Sequence, residues 1–316
     1  MFHYRSFADL DQCISRGLWR IPSDADLVAG IPRSGLMAAN MLALHLNLPL
    51  TSIDLLVEGR VLSAGQRLRP GVDVIKSARK IVVVDDSIST GRELRRAQDL
   101  IESAGLRSKV VYAAVYATEE SAVKVDIHFE ICPQPRVFAW NLMHSQELAE
   151  ACVDIDGVLC VDPTEDQNDD GPEYERFLEN ARPLLRPTCE IGAVVTCRLE
   201  RYRPQTEGWL RRHGIKYRDL VMWDLPSKAA RLASNGHGEF KASVYRMRAW
   251  AGRFIESSAE QADIIAARTF KPVICIETQR VHLPGMKQIF GGAVRNSPTW
   301  LSKGAKRVLI RMCRAV

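Results

Sequence analysis

The stretch IVVVDDSISTG, Ile81 to Gly91, decides the reading of the first half of the chain. Four β-branched residues in a row predict a buried strand. That strand delivers Asp85 and Asp86 at its carboxyl end, and Ser87, Ile88, Ser89, Thr90 and Gly91 lead on into a helix. Ligands of open parallel sheets bind outside the carboxyl ends of the strands. Successive backbone amides and a helix N-terminus there make an anion site. Two carboxylates beside it would repel a phosphate, unless they hydrogen-bond the vicinal hydroxyls of a sugar whose phosphate lies in the loop. An ordinary helix cap needs a single acid, so the pair asks for more than capping.

Working outward, the first half alternates helical and strand patterns. A helix is predicted over 37–48, a strand over 80–84, a helix over 94–104 and a strand over 109–117. The alternation restarts with strands at 152–155, 193–196, 254–256 and 272–276, and helices at 204–212 and 260–268. Such alternation implies parallel sheets with helices on their faces. The fold class is therefore α/β in two domains, 1–148 and 149–316, a division that 316 residues readily allow. An acidic stretch over 162–179 reads as an exposed flap. The C-terminal 303–314 holds five basic residues, no acid and several apolar ones, and reads as a basic amphipathic helix.

Composition narrows the class. Hydrophobic residues make up 46% and charged residues 26%, as in ordinary globular proteins. No apolar run is long enough to cross a membrane, and the N-terminus lacks the apolar core of a signal peptide. The eight cysteines form no CxxC pair, so they are expected to be reduced core residues of a cytoplasmic protein. A net charge of +5 and the lack of a nucleic-acid-binding motif argue against a nucleic-acid partner.

The residues at 81–91 resemble the phosphoribosyl-diphosphate (PRPP) motif of type I phosphoribosyltransferases. DLVAGIPRSGL, Asp26 to Leu36, resembles that family's diphosphate-binding loop, with Gly30, Arg33, Ser34 and Gly35 near the diphosphate. The resemblance implies a mobile loop over 60–76, where Arg60, Arg67, Arg69 and Lys76 could close over the diphosphate. It implies Mg²⁺, transfer with inversion at C1 of the ribose, and a homodimer. The acceptor would dock under a hood formed by 1–20 and 127–144, the latter with Phe138, Trp140, Asn141 and His144.

The second half opens on VDIDGVL, Val153 to Leu159, which resembles motif I of haloacid-dehalogenase-type (HAD) phosphatases. The resemblance implies Asp154 as nucleophile and Asp156 as general acid/base. Alternation along a strand would place both on one face. Thr196 matches the phosphate-binding hydroxyl, and Lys241 the lysine that neutralises the phosphorylated aspartate, with Lys228 as the other candidate. Mg²⁺ would be held by Asp154, Asp156 and Glu256. Ser257 and Ser258 follow Glu256 where the family usually carries a second acid. The spacing between the motifs leaves no room for a large cap domain.

The order of the two domains resembles the ribofuranosyl-transferring enzymes of bacterial polysaccharide assembly. That implies phosphoribosyl transfer from PRPP to a glycan hydroxyl, lipid-linked in many cases, then removal of the 5-phosphate by the second domain. The basic C-terminal helix suits work at the inner face of a membrane. Two other readings stay open: a nucleotide-salvage transferase fused to a nucleotidase, and a PRPP-sensing module that regulates a phosphatase.

Overall fold

The computed structural model describes residues 2–62, 73–234 and 236–284. The chain forms two compact units, Met1–Leu142 and Met143–Val316.

In the first unit, β1 (His3–Arg5), α1 (Phe7–Gly17), β2 (Ala25–Gly30), α2 (Gly35–Leu46), β3 (Leu50–Ser52) and α3 (Ile53–Val57) precede residues 63–72. After them come α4 (Val74–Ser77), β4 (Lys80–Ile88), α5 (Arg92–Ser103), β5 (Val110–Ala117), α6 (Glu119–Ala122), β6 (Ile127–Ile131) and β7 (Arg136–Phe138). Five strands pair in the order β3-β2-β4-β5-β6, all parallel, and β1 pairs separately with β7. The chain winds to one side from β2 and to the other from β4, so the crevice lies between the ends of these two strands. Helices cover both faces. Ile81 and Val83 pack with Leu94, Ala97 and Ile101 of α5, whereas Val82 and Val84 pack with Ala38, Ala39 and Leu42 of α2. A central strand buried on both faces needs a continuous apolar run, which explains 81–84.

β4 is longer than its apolar run predicts. It continues through Ile88, with Asp85, Ser87 and Ile88 in register with Ala114, Tyr116 and Ala117 of β5. The acids are thus rungs of the sheet, and only Ser89, Thr90 and Gly91 remain as the turn before α5.

The second unit contains β8 (Ala151–Val153), α7 (Pro172–Asn180), β9 (Ile191–Leu199), α8 (Arg203–Arg212), β10 (Tyr217–Trp223) and α9 (Lys228–Ser234). It continues with α10 (His237–Met247), β11 (Arg253–Glu256), α11 (Ala259–Thr269), β12 (Val273–Cys275) and β13 (Arg280–His282). The strand order is β10-β9-β8-β11-β12-β13, parallel except for β13. Here the winding reverses between β8 and β11. The acidic stretch is not a flap throughout: its end is α7, which buries Tyr174, Phe177 and Leu178. Spacing of three and four residues puts these on one helical face, and the surrounding acids disguised it. The basic helix expected over 303–314 lies outside the described residues. Among the described residues no helix is long and apolar enough to cross a membrane, and the seven described cysteines are free thiols.

Candidate active sites

In the first unit, a cavity of about 350 Å³ opens at the end of β4, lined by Asp85, Ser87, Ile88, Ser89, Thr90, Gly91 and the first residues of α5. Alternation along β4 sends Asp85 and Asp86 to opposite faces. Asp85 lines the cavity. Asp86 is 2% exposed and faces the aromatic side, where the Trp140 indole Nε1–H donates to its Oδ2 at 2.8 Å. The acids therefore divide their surroundings instead of sharing one. Burial, and next the charge of Asp86, push the Asp85 carboxyl up to about 8. Its Oδ1 accepts from the Asp86 amide at 2.9 Å.

Gly35 sits where α2 comes against β4. A Cβ there would lie 2.8 Å from the Val84 carbonyl oxygen and 2.9 Å from Asp85 Oδ1, so only glycine allows this approach. The Pro32–Arg33 peptide is cis, and the Arg33 guanidinium donates to Asn141 Oδ1 at 2.5 Å. The residues proposed for loop closure are engaged locally: Arg60 pairs with Glu58 at 3.1 Å and Lys76 with Asp73 at 3.3 Å. Arg67 and Arg69 lie outside the described residues. A cation the sequence did not reveal stands at the turn instead. Lys124 Nζ donates to the Thr90 carbonyl at 3.0 Å, and its place, more than thirty residues on, carries no local signal.

Of the hood residues, Trp140 and Asn141 turn toward Asp86 and Arg33. Phe138 stacks between Tyr116 and Trp140. His144 belongs to the second unit and meets Thr188 Oγ1 at 3.0 Å.

In the second unit, Asp154 and Glu256 lie at the carboxyl ends of β8 and β11, on either side of the winding reversal. Lys241 of α10 joins them. Its ammonium donates to Asp154 Oδ2 at 2.7 Å, Glu256 Oε2 at 2.7 Å and Gln261 Oε1 at 2.8 Å. All three charged groups are buried. Burial raises Asp154 well above the usual carboxylate range; Lys241 opposes this, while Glu256 and Asp156 add to it. For Lys241 burial disfavours the charge, but Asp154 and Glu256 outweigh it and its pKa is raised.

Asp156 does not share these partners. Strand β8 stops at Val153, and Asp156 is gripped by the fork of Arg198, with Nη2 at 2.7 Å and Nε at 3.1 Å. Arg198 is 1% exposed, and its Nη2 also reaches Cys160 Sγ at 3.2 Å. The sequence offered one hint, an arginine inside the apolar strand IGAVVTCRL. Thr196, fully buried on the same strand, accepts from the Arg198 amide at 3.2 Å. Lys228 is spent elsewhere: its amide donates to Asp170 at 3.0 Å and its ammonium to the Asn168 carbonyl, which pins the acidic segment. A cavity of about 510 Å³ adjoins the cluster, lined in part by Gly157, Asp162, Ser257, Ser258, Gln261 and Glu277. Gly157 has φ +75°, and a Cβ there would lie 2.4 Å from the Ser257 Cβ.

A divalent cation at this site would draw on Asp154, Asp156 and Glu256. Glu256 gives one oxygen to Lys241 and the other to the amides of Ser257 and Ser258, at 2.9 and 3.2 Å. The Asp156 carboxylate is held by Arg198, and its carbonyl accepts from Ser257 Oγ at 3.2 Å. Among the described residues no group of three His, Cys, Asp or Glu could hold a metal ion. This arrangement does not fit the expected cation site, because the Lys241 ammonium already lies between the two carboxylates.

Residues 10–148 match the family described as phosphoribosyl transferase domain. Over this stretch, less than half of the chain, the first unit carries the type I phosphoribosyltransferase fold. Solved structures give weaker likenesses. A purine phosphoribosyltransferase from Pyrococcus horikoshii Ot3 is 17% identical over 44% of this chain and 93% of its own, with a TM-score of 0.33. The xanthine-guanine-hypoxanthine phosphoribosyltransferase of Helicobacter pylori is 14% identical over 45% of this chain and 93% of its own, with a TM-score of 0.34. A chain of the Pnkp1/Rnl/Hen1 RNA repair complex is 13% identical over 90% of this chain and 96% of its own, with a TM-score of 0.31. The search of curated proteins returned no match.

Proposed function

We propose that the chain transfers ribofuranose in two steps, phosphoribosyl transfer from PRPP to a glycan hydroxyl followed by removal of the 5-phosphate. PRPP enters as its magnesium complex, the substrate form. The 5-phosphate is received by the amides of Ser89 to Gly91 and the N-terminus of α5. Asp85 meets a ribose hydroxyl from the cavity wall, and Arg33 serves the diphosphate. The C1–O bond breaks and diphosphate departs with the bonding pair. The acceptor oxygen bonds to C1 from the opposite face and its proton passes to solvent. The protein supplies position and electrostatics.

In the second step Asp154 attacks phosphorus, the P–O5 bond breaks with its electron pair on the ribose oxygen, and Asp156 donates a proton to that oxygen. Asp156 then takes the proton of the water that attacks phosphorus and cleaves the aspartyl phosphate, which releases inorganic phosphate and restores Asp154. Lys241 offsets charge on Asp154, and Thr196 contributes a hydroxyl or amide contact to the phosphate. The single observation that carries the reading is the buried Asp154–Lys241–Glu256 cluster, at 2.7 Å contacts, in the crevice of a second parallel sheet. A HAD-type phosphatase would be built this way. A lipid-linked acceptor would place the enzyme at the inner face of a membrane.

The test incubates the chain with radiolabelled PRPP, Mg²⁺ and candidate glycan acceptors, with and without Asp154→Asn. Wild type should release diphosphate and inorganic phosphate, and the variant should accumulate phosphoribosylated glycan. Product forming only with free nucleobases would replace this reading with nucleotide salvage.

A further inference from the structure

Trp140 and Asn141 follow β7 at the end of the first unit, and both side chains are committed to the donor site. The indole N–H takes Asp86 Oδ2 at 2.8 Å, and the carboxamide oxygen takes Arg33 at 2.5 Å. The Trp140 ring is itself fixed, stacked 4.9 Å from Phe138 at 13° and meeting Phe7 at 5.7 Å. Arg33 is exposed, and an untethered arginine there would have many rotamers to lose on binding.

We propose that the 139–141 turn is the positioning element of the donor site, with Trp140 aiming the Asp86 carboxylate and Asn141 aiming the Arg33 guanidinium. Trp140 pins the Asp86 side chain on the face away from the cavity, and the Asp86 amide in turn holds Asp85 Oδ1 at 2.9 Å. Asp85, on the cavity wall, then presents its other oxygen to a ribose hydroxyl in a fixed direction. Asn141 holds the guanidinium beside the loop that follows β2. One short turn therefore sets the separation between the groups serving the ribose and the diphosphate ends of PRPP. Neither residue touches the reacting atoms, and both act through others. This inference rests on the phosphoribosyl reading of the first unit and is independent of the acceptor and of the second unit.

The test is calorimetric titration of the full chain with PRPP and Mg²⁺, with no acceptor present. Trp140→Phe keeps the ring stack and deletes the N–H, and should weaken PRPP binding about tenfold, as loss of a hydrogen bond to a charged group does. Asn141→Ala, on a different bond, should weaken it several-fold. A merely structural role would leave the pH dependence unmoved. Here Trp140→Phe removes a donor from the Asp85/Asp86 pair, which also faces Glu93 and Arg136. With the Asp86 charge no longer offset by the indole N–H, the neighbouring Asp85 carboxyl is held up further, and the pH below which binding fails should rise. Unchanged circular dichroism and melting would show that both variants fold. Wild-type binding with both variants within twofold of it, and with the same pH limb, would overturn the proposal. A wild type that does not bind PRPP at all would overturn the phosphoribosyl reading and the positioning role with it.

Discussion

Asp85 links the donor site to the stability of the first unit, and Asp85→Asn tests that link. The carboxyl is held up to about 8, against an ordinary value of 3.8, by burial and then by Asp86, with a smaller contribution from Glu93. Between these two values the unfolded chain has lost the proton and the folded chain keeps it. The unfolded state then binds fewer protons, so stability falls as pH rises through that window and levels off above it. Each pH unit in the window costs about 1.4 kcal/mol. From pH 5 to pH 7 the wild type should therefore lose on the order of 2–3 kcal/mol through this one group. Asparagine keeps the acceptor for the Asp86 amide and removes the titration. The variant should gain on the wild type progressively from pH 5 to pH 8, while losing PRPP affinity. Scanning calorimetry of both proteins across that range, comparing the transition of the first unit, measures the difference. A wild-type-minus-variant difference that stays flat, or that changes in the wild type's favour as pH rises, would refute the reasoning.

The same proton predicts that binding of PRPP, whose ribose hydroxyl would donate to the ionised Asp85 carboxylate, releases it. PRPP affinity should rise with pH up to about 8, and titration heats should vary with the ionisation enthalpy of the buffer. Gly35→Ala drives a Cβ to within 3 Å of Val84 and Asp85, so it should cost about 1–3 kcal/mol and abolish PRPP binding; denaturant melts and titration check both. Lys241→Met leaves Asp154 and Glu256 buried without their cation, and should destabilise the second unit by about 3–5 kcal/mol. Because burial already holds the Asp154 carboxyl above its usual range and Lys241 no longer opposes this, Asp154 can take up a proton, and melting of Lys241→Met should recover on acidification. Arg198→Met should separate the roles of the two aspartates: phosphatase activity on a generic aryl phosphate falls while the Lys241 cluster, read by melting at neutral pH, is less affected.

The architecture was legible where the pattern was strong. Val82 and its neighbours announce a strand buried on both faces, and the alternation of elements announces parallel sheets. The acids at 85 and 86 were readable as residues at a strand end, but not their opposite facing. That follows from β4 continuing in register with β5, a tertiary fact that outweighs the poor strand propensity of aspartate. Helix α7 was hidden for the converse reason, its three buried residues being diluted by acids. Lys241 was singled out by its place in a motif, and the structure puts it against Asp154 and Glu256, whereas Arg198 and Lys124 meet their partners across 42 and 34 residues of chain. Single-sequence spacing is silent at that range. The commitment of Glu256 to Lys241 and two amides could be seen only once side chains were in place.

The continuation of β4 through Ile88 has a consequence for how donor recognition could drift. Asp85, Ser87 and Ile88 keep their directions because they are locked rung by rung to Ala114, Tyr116 and Ala117. A slip of one residue would exchange the roles of Asp85 and Asp86 without changing either side chain. If Asp85 meets the donor as proposed, substitutions in β5 that never approach a ligand would therefore alter which sugar phosphate is accepted. The alignment of two neighbouring strands is as much a determinant of the donor as the acids themselves.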